Sequence, residues 1–242
     1  MPKTNNTLYY QSTLTARQIV YKMSSLTLTD KVSKMIHQDI LSGKLKPGQK
    51  LVVAELKERY NVGASPIREA LVQLSWNKYV KLEPQKGCWV ASISLSELKE
   101  LFESLRTIGQ VLLAKAITNG NENWELNVLT SFHKLNKINL QDAEIEELRE
   151  WENRYTDFHN SLLEGAQSPI MYQFYQDISH QITRYRHLSN NPQVISETYA
   201  QYLEEHEIMM KLTLSRDSEQ AIKYLNNHYS KASDLISTYF SA

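Results

Sequence analysis

Cysteine is nearly absent from this chain: Cys88 stands alone among 242 residues. One thiol cannot close an intrachain disulfide, supply a CxxC zinc site or staple a small secreted scaffold, so a reducing compartment is expected. Long apolar runs are missing too. None approaches the ~20 residues that cross a bilayer, and the N-terminus lacks the apolar core of a secretory signal, which points to a cytoplasmic protein without a membrane partner. HExxH spacing, a P-loop and a nucleophile elbow are all lacking, so no familiar catalytic motif marks the chain as an enzyme. Net charge is zero, with 27 basic and 27 acidic residues, and by itself argues neither for nor against a nucleic-acid partner.

The distribution of charge is more informative. Residues 1–90 hold 14 Lys and Arg against 6 Asp and Glu, a net of +8, leaving a net of −8 on residues 91–242. The first third is therefore the part suited to phosphates. Residues 1–29 contain Lys3, Arg17 and Lys22 and are rich in Ser, Thr and Asn. They read as a disordered basic arm, as a faint likeness of an organellar transit segment, or as the product of an upstream start codon with Met23 the true first residue.

From Asp30 onward Val32, Met35, Ile36, Ile40 and Leu41 recur at helical spacing, and a stop is expected at Ser42-Gly43. Lys46-Pro47-Gly48-Gln49 predicts a turn, and Val53 to Tyr60 a short second helix. Ser65-Pro66 reads as an N-cap followed by proline in the first helical position, opening a third helix to about Trp76 with Glu69 near its start. Tyr79 to Glu83 and Cys88 to Ala91 predict two short strands joined through Pro84 to Gly87. Three helices and a hairpin make a winged helix-turn-helix. Beyond Ser94 the periodicity predicts helices over Leu95–Ile117, Glu125–Ile138, Ile145–Leu163, Met171–Leu188, Ile195–Leu214 and Glu219–Phe240. Breaks are expected at Asn119 to Asn121, near Gln141, at Ser168-Pro169, at Asn190 to Pro192 and near Asp217. The fold class is mainly α, with a second all-helical domain of six or seven helices.

ILSGKLKPGQKL (Ile40 to Leu51), SPIREAL (Ser65 to Leu71) and QKGCWVA (Gln85 to Ala91), in that order, resemble the GntR family. SLRTIGQVLLAKAI (Ser104 to Ile117), DFHNSLLEGAQSP (Asp157 to Pro169) and the stretch from His206 to Tyr229 resemble its branch with a fatty-acid-regulator-like (FCD) effector domain. NGNENWELNVL, EWENRYTDFH and TRYR are similar to glutarate-responsive members of that branch. The resemblance implies an N-terminal arm over 1–28, a DNA-binding domain over 29–92 and an antiparallel helical bundle over 93–242. It further implies a transcriptional regulator, a repressor by preference, that binds operator DNA as a homodimer and responds to a small carboxylate such as a glutarate-type diacid. A metal-dependent hydrolase and a ligand-independent DNA-binding protein are the alternatives.

For DNA contact the resemblance selects Arg68, whose guanidinium can bond two acceptors on guanine or grip a phosphate, or else pair with Glu69 inside the domain. Ser65 caps its helix, meets a phosphate, or both. Lys86 and Gly87 fall at the wing tip, to approach a groove or to form a solvated turn, and Lys44 and Lys46 either touch backbone phosphates or are simply solvated. Gly63-Ala64 and Ala54 depart from the family's usual Ser/Thr-Arg and basic residue, so its operator consensus does not transfer. In the bundle, His159, His206 and His228 match three of the family's metal ligands and imply a divalent metal such as Zn or Ni. Tyr155 stands where the family has an acid. Arg106 matches an arginine that takes the ligand's carboxylate in relatives, and Arg154, Arg184 and Arg186 are either further carboxylate partners or residues of a solvated face.

Overall fold

The computed structural model describes residues 27–138, 140, 145–189 and 192–241. Residues 1–26 of the expected arm, and the breaks expected near Gln141 and at Asn190-Asn191, lie outside the described residues. Helix α1 (Leu28–Leu41) opens on a reciprocal cap: the Thr27 hydroxyl accepts from the Asp30 amide at 3.1 Å while the Asp30 carboxylate accepts from the Thr27 amide at 3.0 Å. Val32, Ile36 and Ile40, one per turn, bury its inner face. The chain then reverses through Gly43 and Gly48, whose φ of 73° and 75° is the left-handed region that glycine adopts without a Cβ clash. Helix α2 (Val53–Tyr60) ends at Asn61 in the same conformation.

Helix α3 (Ala64–Trp76) packs Ile67, Ala70, Leu71 and Leu74 into the core it shares with α1. Its start corrects the sequence reading, because Gly63, extended at φ −67° and ψ 167°, holds the cap position and Ser65 is the second helical residue. The Ser65 hydroxyl instead donates to Glu69 Oε1, one turn on, at 3.0 Å. Pro66 still falls in the first turn, where its missing N–H has no partner to lose. Strands β1 (Val80–Glu83) and β2 (Gly87–Val90) pair antiparallel, Val80 opposite Val90 and Glu83 opposite Gly87, and form the wing. Gly87 is thus paired in β2, at φ 131°, and the turn itself is Pro84 to Lys86.

Six helices follow: α4 (Leu95–Asn119), α5 (Glu122–Asn136), α6 (Ile145–Glu164), α7 (Pro169–Ser189), α8 (Pro192–Leu214) and α9 (Ser218–Ser241). Helix α5 begins three residues before the sequence reading placed it, because the Asn121 side chain caps the Trp124 amide at 3.0 Å. Helix α4 is the spine, packed against α7 and α9, with α5 against α6. At Gly109, where α4 meets α9, an added Cβ would stand 3.4 Å from the Tyr229 ring, in van der Waals contact. The bundle buries its own core, including Leu98, Leu112, Leu113, Phe158, Leu162 and Leu225, separate from the core of the winged domain. Among the described residues no helix is long and apolar enough to cross a membrane.

Helix α7 also touches the winged domain. The Tyr79 hydroxyl donates to the His180 carbonyl at 3.1 Å, and the His37 ring packs edge-on against Tyr79 at 4.2 Å between centroids. Burial, followed by the nearby His187 and His180, pushes the His37 pKa down to about 4. The unfolded chain gains a proton at this residue as pH falls through its ordinary value while the folded chain does not, so stability is lost from pH 6.5 down toward 4 and is level above. Urea unfolding at a series of pH values should show His37→Gln flattening that decline by up to ~1.4 kcal/mol per pH unit. An unchanged slope would mean that His37 takes up its proton in the folded state.

Candidate functional site

Two regions carry the polar groups that the sequence singled out. The first is the exposed face of the winged domain, where Ser65, Arg68, Lys44, Lys46, Lys86 and Gly87 all reach solvent. Arg68 makes no ion pair among the described residues, because Glu69 is occupied by Ser65 at 3.0 Å and by the Thr29 hydroxyl at 2.8 Å. Lys44 leans on Asp39 and Lys86 on Glu83, each at 3.6 Å and with the lysine mostly exposed. Exposed pairs of this kind are worth little in water, so both ammonium groups stay available to a phosphate. The sequence reading missed Lys50, which an isolated β-bridge to Trp89 brings beside the wing, 5.7 Å over the indole ring.

The second region lies inside the helical bundle. His159 on α6, His206 on α8 and His228 on α9 are each nearly fully buried, and each offers one ring nitrogen to a group spanning at most 4.8 Å. His159 Nε2 faces His206 Nε2 at 3.2 Å. Two imidazole nitrogens so placed share one proton between them, or else both turn lone pairs toward a cation. Tyr155, one turn before His159 on α6, brings its hydroxyl 3.0 Å from His228 Nε2 and its ring 4.5 Å from that of His159. It therefore points into the cluster.

Glu205 completes the arrangement, and no sequence signal singled it out. Its Oε2 lies 3.1 Å from His228 Nδ1 and its Oε1 2.5 Å from Lys231 Nζ. The hydrogen bond from His228, helped by Lys231, pulls the Glu205 carboxyl down to about 2 against the opposing effect of burial. As an anion it accepts the Nδ1 proton, which leaves the His228 Nε2 lone pair directed at the cluster and available to the Tyr155 hydroxyl. Burial before all else, then the nearby His228, lowers the pKa of His159 and His206 well below the ordinary value, and burial lowers that of His228. The imidazoles are thus held neutral, as a metal ligand must be. Three neutral nitrogen donors, one orienting carboxylate and an adjacent hydroxyl suit a borderline divalent ion such as Zn or Ni. A cleft of about 180 Å³ between α8 and α9, lined by Gln201, Tyr202, Glu205, Lys231 and Leu235, opens beside Glu205.

The four arginines part company. Arg186 lies 4.4 Å over the Tyr155 ring and pairs with the buried Glu152 at 2.9 Å, which places a cation beside the imidazoles. Arg184 faces away from them, toward the winged domain, where its guanidinium donates to the Lys78 carbonyl at 2.7 Å and to Glu97 at 2.9 Å. Arg154 is on the outer face of α6, bonded to Glu150 at 2.7 Å and to the Lys134 carbonyl at 2.6 Å. Arg106 is partly buried on α4 and donates to Ser230 on α9 at 3.3 Å. Since Ser230 follows His228 by two residues, about 200° of helix rotation separates their side chains.

Comparison with known proteins matches residues 28–90 to a model described as bacterial regulatory proteins, gntR family, and residues 100–231 to the FCD domain. The chain is 32% identical to the HTH-type transcriptional repressor GlaR of Escherichia coli K12, over 81% of this chain and 89% of that one. It is 28% identical to the HTH-type transcriptional regulator BphR of Paraburkholderia xenovorans LB400, over 84% of this chain and 82% of that one. The solved structure of Escherichia coli McbR/YncC superposes with a TM-score of 0.69 at 18% identity, covering 89% of this chain and 99% of the other. At that identity the likeness concerns the fold alone.

Proposed function

The chain belongs to the gntR family of bacterial regulatory proteins and carries an FCD domain, and from that premise we propose a cytoplasmic repressor whose hold on operator DNA is released by a small carboxylate bound at the three histidines. Because the family is one of regulators, the hydrolase reading is set aside. The observation that carries the proposal is the convergence of three neutral, buried imidazoles with a hydroxyl and a guanidinium beside them. Neutral donors favour a cation, and the guanidinium favours an anion, so the site suits a metal and a carboxylate together.

On the DNA side, two winged domains related by a two-fold axis read the halves of an inverted repeat, so the working unit is a homodimer. Ser65 and Arg68 face the major groove from the start of α3, Lys86 and Gly87 follow the wing into the adjacent groove, and Lys44 and Lys46 meet phosphates. On the effector side, a divalent metal held by His159, His206 and His228 would supply a Lewis-acidic point for a carboxylate oxygen. Glu205 holds His228 in the tautomer that presents Nε2. The Tyr155 hydroxyl, freed from His228, donates to the ligand, and Arg186 takes a carboxylate. Arg106, tied to α9 through Ser230 on the side away from His228, and Arg154, held on the outer face of α6, take no part in this reading. The likeness to glutarate-responsive members of the branch makes glutarate the first ligand to test.

The DNA, metal and effector parts of this reading are each checked by measurement. Light scattering should give twice the chain mass, and Arg68→Ala should weaken binding to the operator by ~1–3 kcal/mol; a monomer that binds the operator, or unchanged affinity, would overturn the corresponding half. Calorimetric titration with zinc should show binding to wild type, its loss in His206→Ala, and a reduction of about 10- to 100-fold in Glu205→Gln. If elemental analysis and titration find equal metal content in wild type and His206→Ala, the three histidines are not its ligands. Glutarate should lower operator affinity, and its own affinity should fall by ~1.5–3 kcal/mol in Arg186→Met, the range of a charge-assisted hydrogen bond. Retention of full glutarate affinity in that variant would remove Arg186 from the site.

A further inference from the structure

Three consecutive residues of α7 touch both halves of the molecule. Residues 184 and 186 lie about 200° apart around a helix, so their side chains leave on opposite sides. Arg186 enters the bundle and meets Glu152 and Tyr155 beside the imidazoles. Arg184 leaves toward the winged domain, on the same face as His180 one turn earlier, whose carbonyl holds the Tyr79 hydroxyl. Only 2% of the Arg184 side chain is exposed, an extreme value for a cation.

The partners of Arg184 and Tyr185 occupy the two points that orient the winged domain. Lys78, at φ 61°, follows Asn77, the C-cap of the recognition helix α3, and its carbonyl receives the Arg184 guanidinium. A cation is favoured there by the partial negative charge that gathers at a helix C-terminus. Glu97 is in the first turn of α4, and its carboxylate accepts from both Arg184 and the Tyr185 hydroxyl. The backbone amide of Ser94, the N-cap of α4, donates to that same hydroxyl at 3.2 Å. One short stretch of α7 therefore grips the end of the recognition helix and the start of the helix that leads from the winged domain.

We propose that Arg184, Tyr185 and Glu97 form the coupling that carries occupancy of the histidine site to the recognition helix, with Arg184 a positioning residue for DNA binding and no part of the effector pocket. This rests on the reading of the histidine site as the effector site. An anionic ligand that takes Arg186 weakens its pairing with Glu152 and shifts the C-terminal half of α7. Arg184 is rigidly one helix side away, so the shift reaches Lys78 and Glu97 through the same backbone. A guanidinium with almost no access to water cannot replace those oxygens by solvent, so the winged domain follows α7 or the clamp breaks.

The test is a comparison of backgrounds by hydrogen exchange. Arg186→Met should raise exchange at the amides of residues 78–82 and 94–98 by about threefold or more in the native background, and add nothing once Glu97→Gln has opened the clamp. Equal effects in both backgrounds, or none in either, would overturn the proposal. Should the lone Glu152 left by Arg186→Met prevent folding, Glu152→Gln with Arg186→Met removes both charges and makes the same comparison. A second arm uses glutarate as the probe: in Glu97→Gln its calorimetric affinity should be retained while its effect on operator affinity, about tenfold or more in wild type, disappears. Glutarate that relieves operator binding equally in both proteins contradicts the coupling. Glutarate that binds neither sinks the effector assignment alone, and the exchange comparison still decides the coupling.

Discussion

A guanidinium leaves water only where protein oxygens replace the water it gives up, and the burial of Arg184 is the constraint on which the arrangement of the two halves depends. The replacements come from both sides of the boundary between them, a backbone carbonyl at the end of α3 and a carboxylate at the start of α4. The planar fork of arginine reaches both at once, which a single ammonium could not do with the same geometry. Around this contact the Tyr79, His180, Tyr185 and Ser94 hydrogen bonds fall into place. The winged domain is thereby joined to the helix that also forms one wall of the histidine site.

Inside the bundle, burial does a different task. Removed from water, His159, His206 and His228 resist protonation and keep their lone pairs. Glu205 remains ionised because His228 and Lys231 both bond to it, and its charge decides which nitrogen of His228 looks inward. Tyr155 supplies a neutral donor where an acid would bring a negative charge. The three imidazoles and the tyrosine are consequently electrically neutral, and Arg186 beside them already has a counter-ion in Glu152.

Much of the scaffold was legible along the chain. Glycine and asparagine at positive φ, the apolar repeats of α1 and α4 and the short wing strands each follow from interactions between near neighbours. The misreadings were also local. Ser65 has the composition of a cap but spends its hydroxyl on Glu69, and the start of α5 was set by Asn121, whose side chain competes for a free amide. The three histidines were visible through the resemblance to a family, which says that they belong together without saying what surrounds them.

By itself the sequence determined the helical and strand elements and the basic first third, because propensity, periodicity and charge act over a few residues or add up regardless of position, while the histidine candidates came from the resemblance to a family. It could not separate four similar arginines. Arg184 and Arg186 are two residues apart, yet one meets Glu97 and Lys78 while the other meets Glu152 and Tyr155. Likewise nothing in the spacing ties Glu205 to His228. Those partnerships were decided only by the tertiary structure, since the packing of α7 against α6 on one side and against the winged domain on the other selects which oxygen each buried cation meets.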